Sequence, residues 1–139
     1  MAVLIDSSLL IAHERGSLDL SRIMAERVTG RENEPFYLSV ASASELLHGV
    51  HRAAEPGRRA RRGAFVEAVL ERFPLLPIDL PTARTHAELW SALAAAGTPV
   101  GAHDLWIAAT AVSRGLTVVT ANVREFERVP GLDVESWQA

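Results

Sequence analysis

The sequence predicts an α/β fold, a three-layer α/β/α sandwich around a central, mostly parallel sheet of four to five strands. Short apolar runs alternate with longer segments in which apolar residues recur at helical spacing. The first run, Val3-Leu4-Ile5, has no polar position, which is typical of a strand buried on both faces. No repeat, low-complexity tract or linker interrupts the 139 residues. A single domain covering residues 1–139 is therefore predicted.

Four strands are predicted in chain order, with a fifth at the edge of the sheet. They cover 3–5, 36–40, 75–78 and 116–120, and the edge strand includes Val134. Their residues are mainly β-branched, leucine or aromatic, which suits extended backbone. Because helical segments separate them, the strands are expected to run parallel and to be covered on both sides.

Helices are predicted between these strands. Ser7 or Ser8 is expected to cap the first helix, and Ser17 to open a second that continues through Val28. The helix after strand two carries Glu45. Further amphipathic segments precede strand three and strand four, so each crossover has a face that can pack on the sheet.

The composition excludes several classes of protein. Apolar residues make up 48% and charged residues 22%, which is the balance of a folded chain and not of a disordered one. No run of about 18 apolar residues occurs, so no membrane partner is expected. The absence of cysteine excludes a disulfide framework and a thiolate zinc site, and it favours a cytoplasmic location. The net charge of −3 does not fit a strongly basic nucleic-acid binder.

Three acidic residues are predicted at one edge of the sheet. Asp6 ends strand one, Glu45 lies in the first turns of the helix after strand two, and Asp104 opens the helix before strand four. The loop 120–122 follows strand four at the same edge, because the carboxyl ends of parallel strands share one rim. Neighbouring carboxylates repel unless a cation neutralises them, and oxygen ligands suit Mg²⁺ or Mn²⁺. Such clusters support metal-assisted cleavage of phosphodiesters.

Each acid also has a purely structural explanation. Asp6 is suitably placed to cap the first helix, and Ser42 with Glu45 fits a capping box. Asp104 lies where a negative charge favours the helix dipole. Three acids at three matching topological positions favour a common site over three separate caps.

Four motifs in order resemble those of PIN-domain ribonucleases, and the length and order of elements resemble their VapC-type toxins. The motifs are Leu4-Ile5-Asp6-Ser7-Ser8, Ser44-Glu45-Leu46-x-x-Gly49, Ala102-His103-Asp104-Leu105-x-Ile107-Ala108-Ala109 and Thr120-x-Asn122-x-x-x-Phe126. The resemblance implies an endoribonuclease dependent on Mg²⁺ or Mn²⁺, which acts on RNA as the toxin of a type II toxin–antitoxin pair. It also implies inhibition by a cognate antitoxin protein and a homodimer.

The same resemblance assigns roles to residues. Asp6 and Asp104 become the main metal ligands, and Glu45 becomes a further ligand or the group that orients the water. Thr120 steadies the site through its hydroxyl, and Ser7 and Asn122 are supporting residues. Many members of the family carry a fourth acid at the position of Asn122. Since an amide supplies no charge, one well-occupied ion is predicted in place of two.

The densest basic cluster has two interpretations. Its members are Arg52, Arg58, Arg59, Arg61 and Arg62. Arginine pairs well with RNA phosphates, so Arg58, Arg59, Arg61 and Arg62 are candidate RNA contacts. The sequence pattern by itself favours a solvated helix face.

Two further features were assigned from the sequence. His103 lies beside Asp104 and is expected to pack at the helix start more readily than to touch substrate. The helices around 9–28 and 46–50 carry much apolar surface, which favours a groove for a partner helix. In VapC-type proteins this is where the antitoxin lies, with a basic residue reaching the acidic pocket.

Two other functions compete with RNA cleavage. A receiver-type signalling domain is also α/β with acids at strand ends, but this chain has no adjacent acid pair after strand one and no lysine. A PIN-like domain that binds RNA or protein and cuts weakly is the closer alternative. The retained Asp6, Glu45 and Asp104 count against it.

Overall fold

The computed structural model describes residues 2–27 and 35–137. Its sheet has five strands in the order β3-β2-β1-β4-β5, and every pairing is parallel. The strands are β1 (Val3–Ile5), β2 (Phe36–Ser39), β3 (Leu75–Leu76), β4 (Thr117–Thr120) and β5 (Asp133–Ser136). The predicted α/β class and parallel sheet are confirmed.

Seven helices of the described chain form two layers around the sheet. They are α1 (Ser7–Glu14), α2 (Leu20–Arg27), α3 (Val40–Arg52), α4 (Pro56–Arg72), α5 (Leu80–Ala96), α6 (Ala102–Arg114) and α7 (Val123–Glu127). Val3 and Ile5 belong to one hydrophobic cluster, mainly with α1 to α4, whereas Leu4 belongs to a second, mainly with α5 to α7. Successive side chains of a strand point to opposite faces, so β1 is covered on both sides, as its all-apolar sequence predicts.

The strand order places a topological switch point between β1 and β4. From β1 the chain moves outward to β2 and β3, and it then returns through α5 and α6 to β4 on the other side of β1. The backbone N–H of Asp6 donates to the carbonyl of Val119 at 2.9 Å, which joins the carboxyl ends of the two strands. Ligand sites of open α/β sheets form in the crevice at such a point.

The starts of α1 and α2 differ from the prediction. Asp6 is the N-cap residue of α1, so Ser7 and Ser8 lie inside the helix and the expected serine cap is wrong. The α2 helix begins at Leu20 and not at Ser17, because the Asp19 carboxylate accepts the N–H of Arg22 at 3.1 Å and so caps that turn. The predicted continuation of this helix through Val28 lies outside the described residues.

The N-cap of α3 also differs from the prediction. Ser39 is its N-cap residue and accepts the N–H of Ala41 at 3.0 Å. Ser42 is buried inside the helix, and its hydroxyl has no hydrogen-bond partner within the described chain. The capping box of Ser42 with Glu45 is therefore wrong, and the Glu45 carboxylate is not occupied with capping.

Smaller differences concern the strand ends. The predicted strand 75–78 stops at Leu76, because its partner β2 ends at Ser39 and Pro77 has no N–H for a further ladder bond. Val40 and Leu116, predicted as strand residues, lie just outside β2 and β4. Among the helices of the described ranges, none is long and apolar enough to span a bilayer.

Candidate active site

Three carboxylates meet at the carboxyl edge of the sheet. Asp6 follows β1, Glu45 lies in the second turn of α3, and Asp104 lies in the first turn of α6. One oxygen from each lies within 4.8 Å of the other two. The α6 helix packs against α3, which brings Asp104 to the edge that β1 and α3 already share. The structure thus brings together the three acids that the sequence singled out.

Asp6 is the most enclosed of the three, with 3% of its surface exposed. Its Oδ2 accepts hydrogen bonds from the hydroxyl of Ser8 at 2.6 Å and of Thr120 at 2.8 Å. Its Oδ1 is buried without a hydrogen-bond partner among the described residues. An unpaired buried carboxylate oxygen costs free energy unless a cation or other partner meets it. Asp6 occupies the N-cap position of α1, but its side chain makes no capping hydrogen bond, so the capping explanation of this acid is wrong.

Burial and mutual repulsion act on the other two acids, which are half-buried. Burial, followed by the charges of Asp6, Glu45 and Glu125, raises the pKa of Asp104 to about 7. Burial is also the main cause that raises the pKa of Glu45, with Asp6 adding to it and the hydroxyl of Ser7 opposing it. The cluster therefore resists full ionisation by itself, and a divalent cation would relieve that resistance.

The supporting residues named from the sequence lie around this cluster. Ser7 donates to Glu45 Oε1 at 3.2 Å. The buried Thr120 hydroxyl donates to Asp6 and accepts the backbone N–H of Asn122 at 2.9 Å. The Asn122 side chain is exposed at the start of α7 and makes no capping hydrogen bond. Its backbone, and not its amide group, is what contacts the site.

A further acid was missed in the sequence. Glu125 lies in the first turn of α7, and its charge contributes to the raised pKa of Asp104. Its Oε2 accepts the N–H of Gly101 at 3.4 Å, next to the start of α6. It lies three residues after Asn122, one turn into the next helix, which is the signal that would have found it. Negative charge therefore reaches Asp104 from this side of the site even though Asn122 carries none.

Sequence reasoning also misjudged His103 and overlooked the hydroxyl of Ser8 at the site. His103 is exposed and lies close enough to Glu45 to lower the pKa of that acid, so the expected packing at the helix start is wrong. Ser8 was considered only as a cap. Its hydroxyl also accepts the N–H of Ala121 in the loop after β4, a contact that no local pattern reveals.

A groove of about 950 Å³ adjoins the acidic cluster, between α1, α3, α4 and the start of α6. Its walls include the apolar residues Ile11, Leu46, Phe65 and Val66, the cluster residue Glu45, and the basic residues Arg15, Arg52, Arg58 and Arg62. Arg52 follows Glu45 by seven residues, about two turns along α3, so acidic and basic side chains face the same groove at different points.

Intramolecular contacts occupy much of the arginine cluster. Arg59 donates from Nε to the Ala53 carbonyl at 2.9 Å. Arg62 contacts the Glu14 carboxylate at 3.3 Å and donates to the Gly49 carbonyl at 3.2 Å. The exposed Arg61 lies 3.9 Å from the Glu55 carboxylate, and Arg58 lines the groove. Arg59 and Arg62 thus connect α4 to its neighbours, whereas Arg52 and Arg58 line the groove.

Comparison with known proteins adds independent findings. The PIN domain family model matches residues 3–132. Ribonuclease VapC1 of Rickettsia felis is 34% identical over 134 residues, which cover 96% of this chain and 95% of that protein. The tRNA(fMet)-specific endonuclease VapC of Salmonella typhimurium is 41% identical over 100 residues, or 72% of this chain and 74% of that one.

A solved structure resembles the whole chain. It is the crystal structure of DNA-bound VapBC from Salmonella typhimurium, which is 33% identical and has a TM-score of 0.83. The match covers 99% of this chain and 98% of the compared chain.

Proposed function

This chain belongs to the PIN-domain family and to its VapC ribonucleases, the toxins of toxin–antitoxin pairs, and we propose that it hydrolyses RNA with a divalent cation held by Asp6, Glu45 and Asp104. Mg²⁺ or Mn²⁺ is the proposed ion, because all three ligands are hard carboxylate oxygens. A cytoplasmic location is also proposed, which the absence of cysteine favours.

The unpaired Oδ1 of the buried Asp6, within 4.8 Å of oxygens from two other acids, is the observation that carries this proposal. Structural acids are paired or hydrogen-bonded when buried. Here two acids have raised pKa values and the third has an oxygen without a partner, which is the arrangement that a bound cation satisfies. The donor set fits one ion shared by the three carboxylates.

Each residue has a defined task in the proposed reaction. A bound cation supplies activation of a water and stabilisation of the leaving oxygen. Asp6 and Asp104 hold the ion, and Glu45, oriented by Ser7, holds it or directs the water. Thr120 fixes the Asp6 carboxylate from the β4 side. A bound ion would favour the charged forms of Glu45 and Asp104, whose pKa values are raised without it.

A cleavage assay tests the proposal. The purified protein is incubated with total RNA and with tRNA(fMet), the RNA for which the Salmonella relative is named, in Mg²⁺, in Mn²⁺ or in EDTA. We expect cleavage that requires the ion and that Asp6→Asn abolishes while the variant keeps its circular-dichroism spectrum. Equal cleavage by Asp6→Asn, or cleavage that survives EDTA, contradicts the proposal. Metal binding without cleavage of any cellular RNA favours the alternative PIN-like binding domain.

An antitoxin is the partner of this family, and we propose that it binds in the groove of α1, α3 and α4. The apolar wall of Ile11, Leu46 and Phe65 suits the apolar face of a helix. Glu45 belongs both to this wall and to the acidic cluster, so a basic side chain from such a helix would reach the site. An occupant of the groove would then block RNA and neutralise the acids together.

RNA contact and self-association complete the proposal. Of the four predicted RNA contacts, only Arg58 and Arg62 line the groove, and Arg62 is paired with Glu14, so Arg58 is the one proposed to meet a phosphate. A homodimer is proposed from the family resemblance. The α5 side chain of Trp90, 63% exposed, is an apolar surface that a second copy would cover.

A further inference from the structure

We infer that Ser8 is a positioning residue that makes Asp6 a ligand through one oxygen, and thereby favours Mg²⁺ or Mn²⁺ over Ca²⁺. The inference rests on the proposed metal-dependent function and assigns it a residue outside the three acids. Ser8 lies in the first turn of α1 and is half-buried.

Two hydroxyls hold the same oxygen of Asp6. Ser8 donates to Oδ2 at 2.6 Å and Thr120 donates to it at 2.8 Å. Each hydroxyl also accepts a backbone N–H from the loop after β4: Ser8 from Ala121 at 3.1 Å, and Thr120 from Asn122 at 2.9 Å. A hydroxyl has one proton, and an N–H that meets its oxygen directs that proton elsewhere. Both protons therefore point at the carboxylate, although the two hydroxyl oxygens are only 3.1 Å apart.

The two bonds define which oxygen of Asp6 is available to an ion. With Oδ2 accepting two short, charge-assisted hydrogen bonds, the carboxylate cannot turn about its Cβ–Cγ bond without losing both. Oδ1 is buried and has no partner among the described residues. Only Oδ1 of the Asp6 carboxylate is therefore available to bind a cation.

Ligation through one oxygen discriminates between cations. Mg²⁺ requires near-octahedral coordination with oxygens at about 2.0 to 2.1 Å, whereas Ca²⁺ accepts six to eight ligands and often takes both oxygens of a carboxylate. A carboxylate fixed so that only Oδ1 is free therefore disfavours the larger ion. Thr120 fixes it from the sheet, and Ser8 fixes it from α1.

Removing the Ser8 hydroxyl has two consequences. Oδ2 keeps one donor in place of two, and the N–H of Ala121 loses its acceptor, so both the carboxylate and the loop after β4 are held less firmly. The carboxylate can then tilt and present both oxygens. The affinity for Mn²⁺ should fall, and the preference for Mn²⁺ over Ca²⁺ should fall with it.

Calorimetric titration of the metal-free protein tests this. Mn²⁺ and Ca²⁺ are titrated separately into the unaltered protein, Ser8→Ala, Ser8→Thr, Asp6→Asn and the control Ser17→Ala, which removes an exposed hydroxyl remote from the site. Ser8→Ala should bind Mn²⁺ about tenfold more weakly, a loss typical of groups that orient metal ligands. Its affinity for Ca²⁺ should change less, so that the ratio of the two affinities drops. Ser8→Thr and Ser17→Ala should behave like the unaltered protein.

The outcomes separate the inference from the proposed function. Unchanged Mn²⁺ affinity in Ser8→Ala overturns the inference, and so does an equal loss for both ions, which is the result of general loosening. If the unaltered protein binds no Mn²⁺, or if Asp6→Asn binds it equally well, the proposed metal site itself is wrong. Thermal unfolding of each metal-free variant reports any loss of folding separately.

Discussion

Two clusters of side chains in this molecule surround an acid in opposite ways. At the carboxyl edge, Asp104 is surrounded by other acids, and burial and their charges raise its pKa to about 7. At the start of α5, Asp79 accepts hydrogen bonds from the hydroxyl and the N–H of Thr82, and Arg114 lies 3.2 Å from its other oxygen. These hydrogen bonds, with the charge of Arg114, lower the pKa of Asp79.

The difference distinguishes an acid that holds the fold together from one that is kept for a ligand. Asp79 is satisfied within the protein: it caps α5 and, through Arg114, ties α5 to the end of α6. Asp6 Oδ1 has no hydrogen-bond partner among the described residues, and Asp104 is surrounded by other acids, which lowers stability and leaves room for a cation. The residues themselves are aspartates in both places, and only the side chains around them differ.

The largest expected effect comes from exchanging one acid for its amide in each cluster. Asp104→Asn should lower RNA cleavage by about a hundredfold or more, because even residues that only orient metal ligands contribute about 10- to 100-fold. The same change removes a charge from a repulsive cluster, so the metal-free variant should unfold at a higher temperature than the unaltered protein. Asp79→Asn should do the reverse, with cleavage retained and a lower melting temperature. Equal RNA cleavage by Asp104→Asn and Asp79→Asn would contradict this difference between the two acids.

Arg114→Ala should affect stability without affecting cleavage. The guanidinium donates to the Thr82 hydroxyl at 2.9 Å, the Pro77 carbonyl at 3.0 Å and the Asp79 carboxylate at 3.2 Å. Loss of this set should reduce the free energy of unfolding by about 1.5 kcal/mol, the low end of the usual range for hydrogen bonds to charged groups, because the Asp79 carboxylate is partly exposed. Urea denaturation measures it, with the exposed Arg84→Ala on α5 as the control. A loss of cleavage at full stability would mean that Arg114 communicates with the site.

The carboxyl-edge cluster consists of Asp6, Glu45 and Asp104. Much of it was predictable from the sequence, because the positions of these residues depend on the order of strands and helices. A side chain at the end of a strand lies at the carboxyl edge wherever that strand sits in a parallel sheet, which is sufficient for Asp6 and for Thr120. The position of Glu45 is predictable because this residue lies in the first turns of the helix that follows strand two. Asp104 required more, since its helix had to start at the same edge, and the packing of α6 on α3 is a tertiary contact.

The helix caps and the role of Ser8 could not be predicted from the sequence, because several residues of similar chemistry compete for the same position. Ser39 and Ser42 both suit a helix N-cap, and the end of β2 decides for Ser39. Ser17 and Asp19 compete in the same way before α2. Ser8 contacts Ala121, 113 residues further along the chain, and such a contact exists only once β1 and β4 are paired. Local patterns reveal which residues can make these bonds but not which of them do.

The pH dependence of stability is expected to have opposite signs in the two clusters. The folded protein keeps the Asp104 proton up to about pH 7, whereas the unfolded chain releases it near its ordinary value of 3.8. Between these values the folded state binds more protons, so the free energy of unfolding of the metal-free protein should fall as pH rises. Asp79, whose pKa is lowered, contributes stability above its ordinary value that is lost only on acidification.

Urea denaturation at several pH values from 4 to 7 measures this slope in metal-free protein, with Asp104→Asn as the matched control. His86 contributes a slope of the opposite sign near pH 6.5, because burial lowers its pKa, but both proteins carry it and the difference between them removes it. Saturating Mn²⁺ should abolish the difference, since a bound cation takes the place of the proton on Asp104. Identical slopes in the two metal-free proteins would mean that repulsion within the carboxyl-edge cluster is relieved by the protein itself, and the contrast with Asp79 would then disappear.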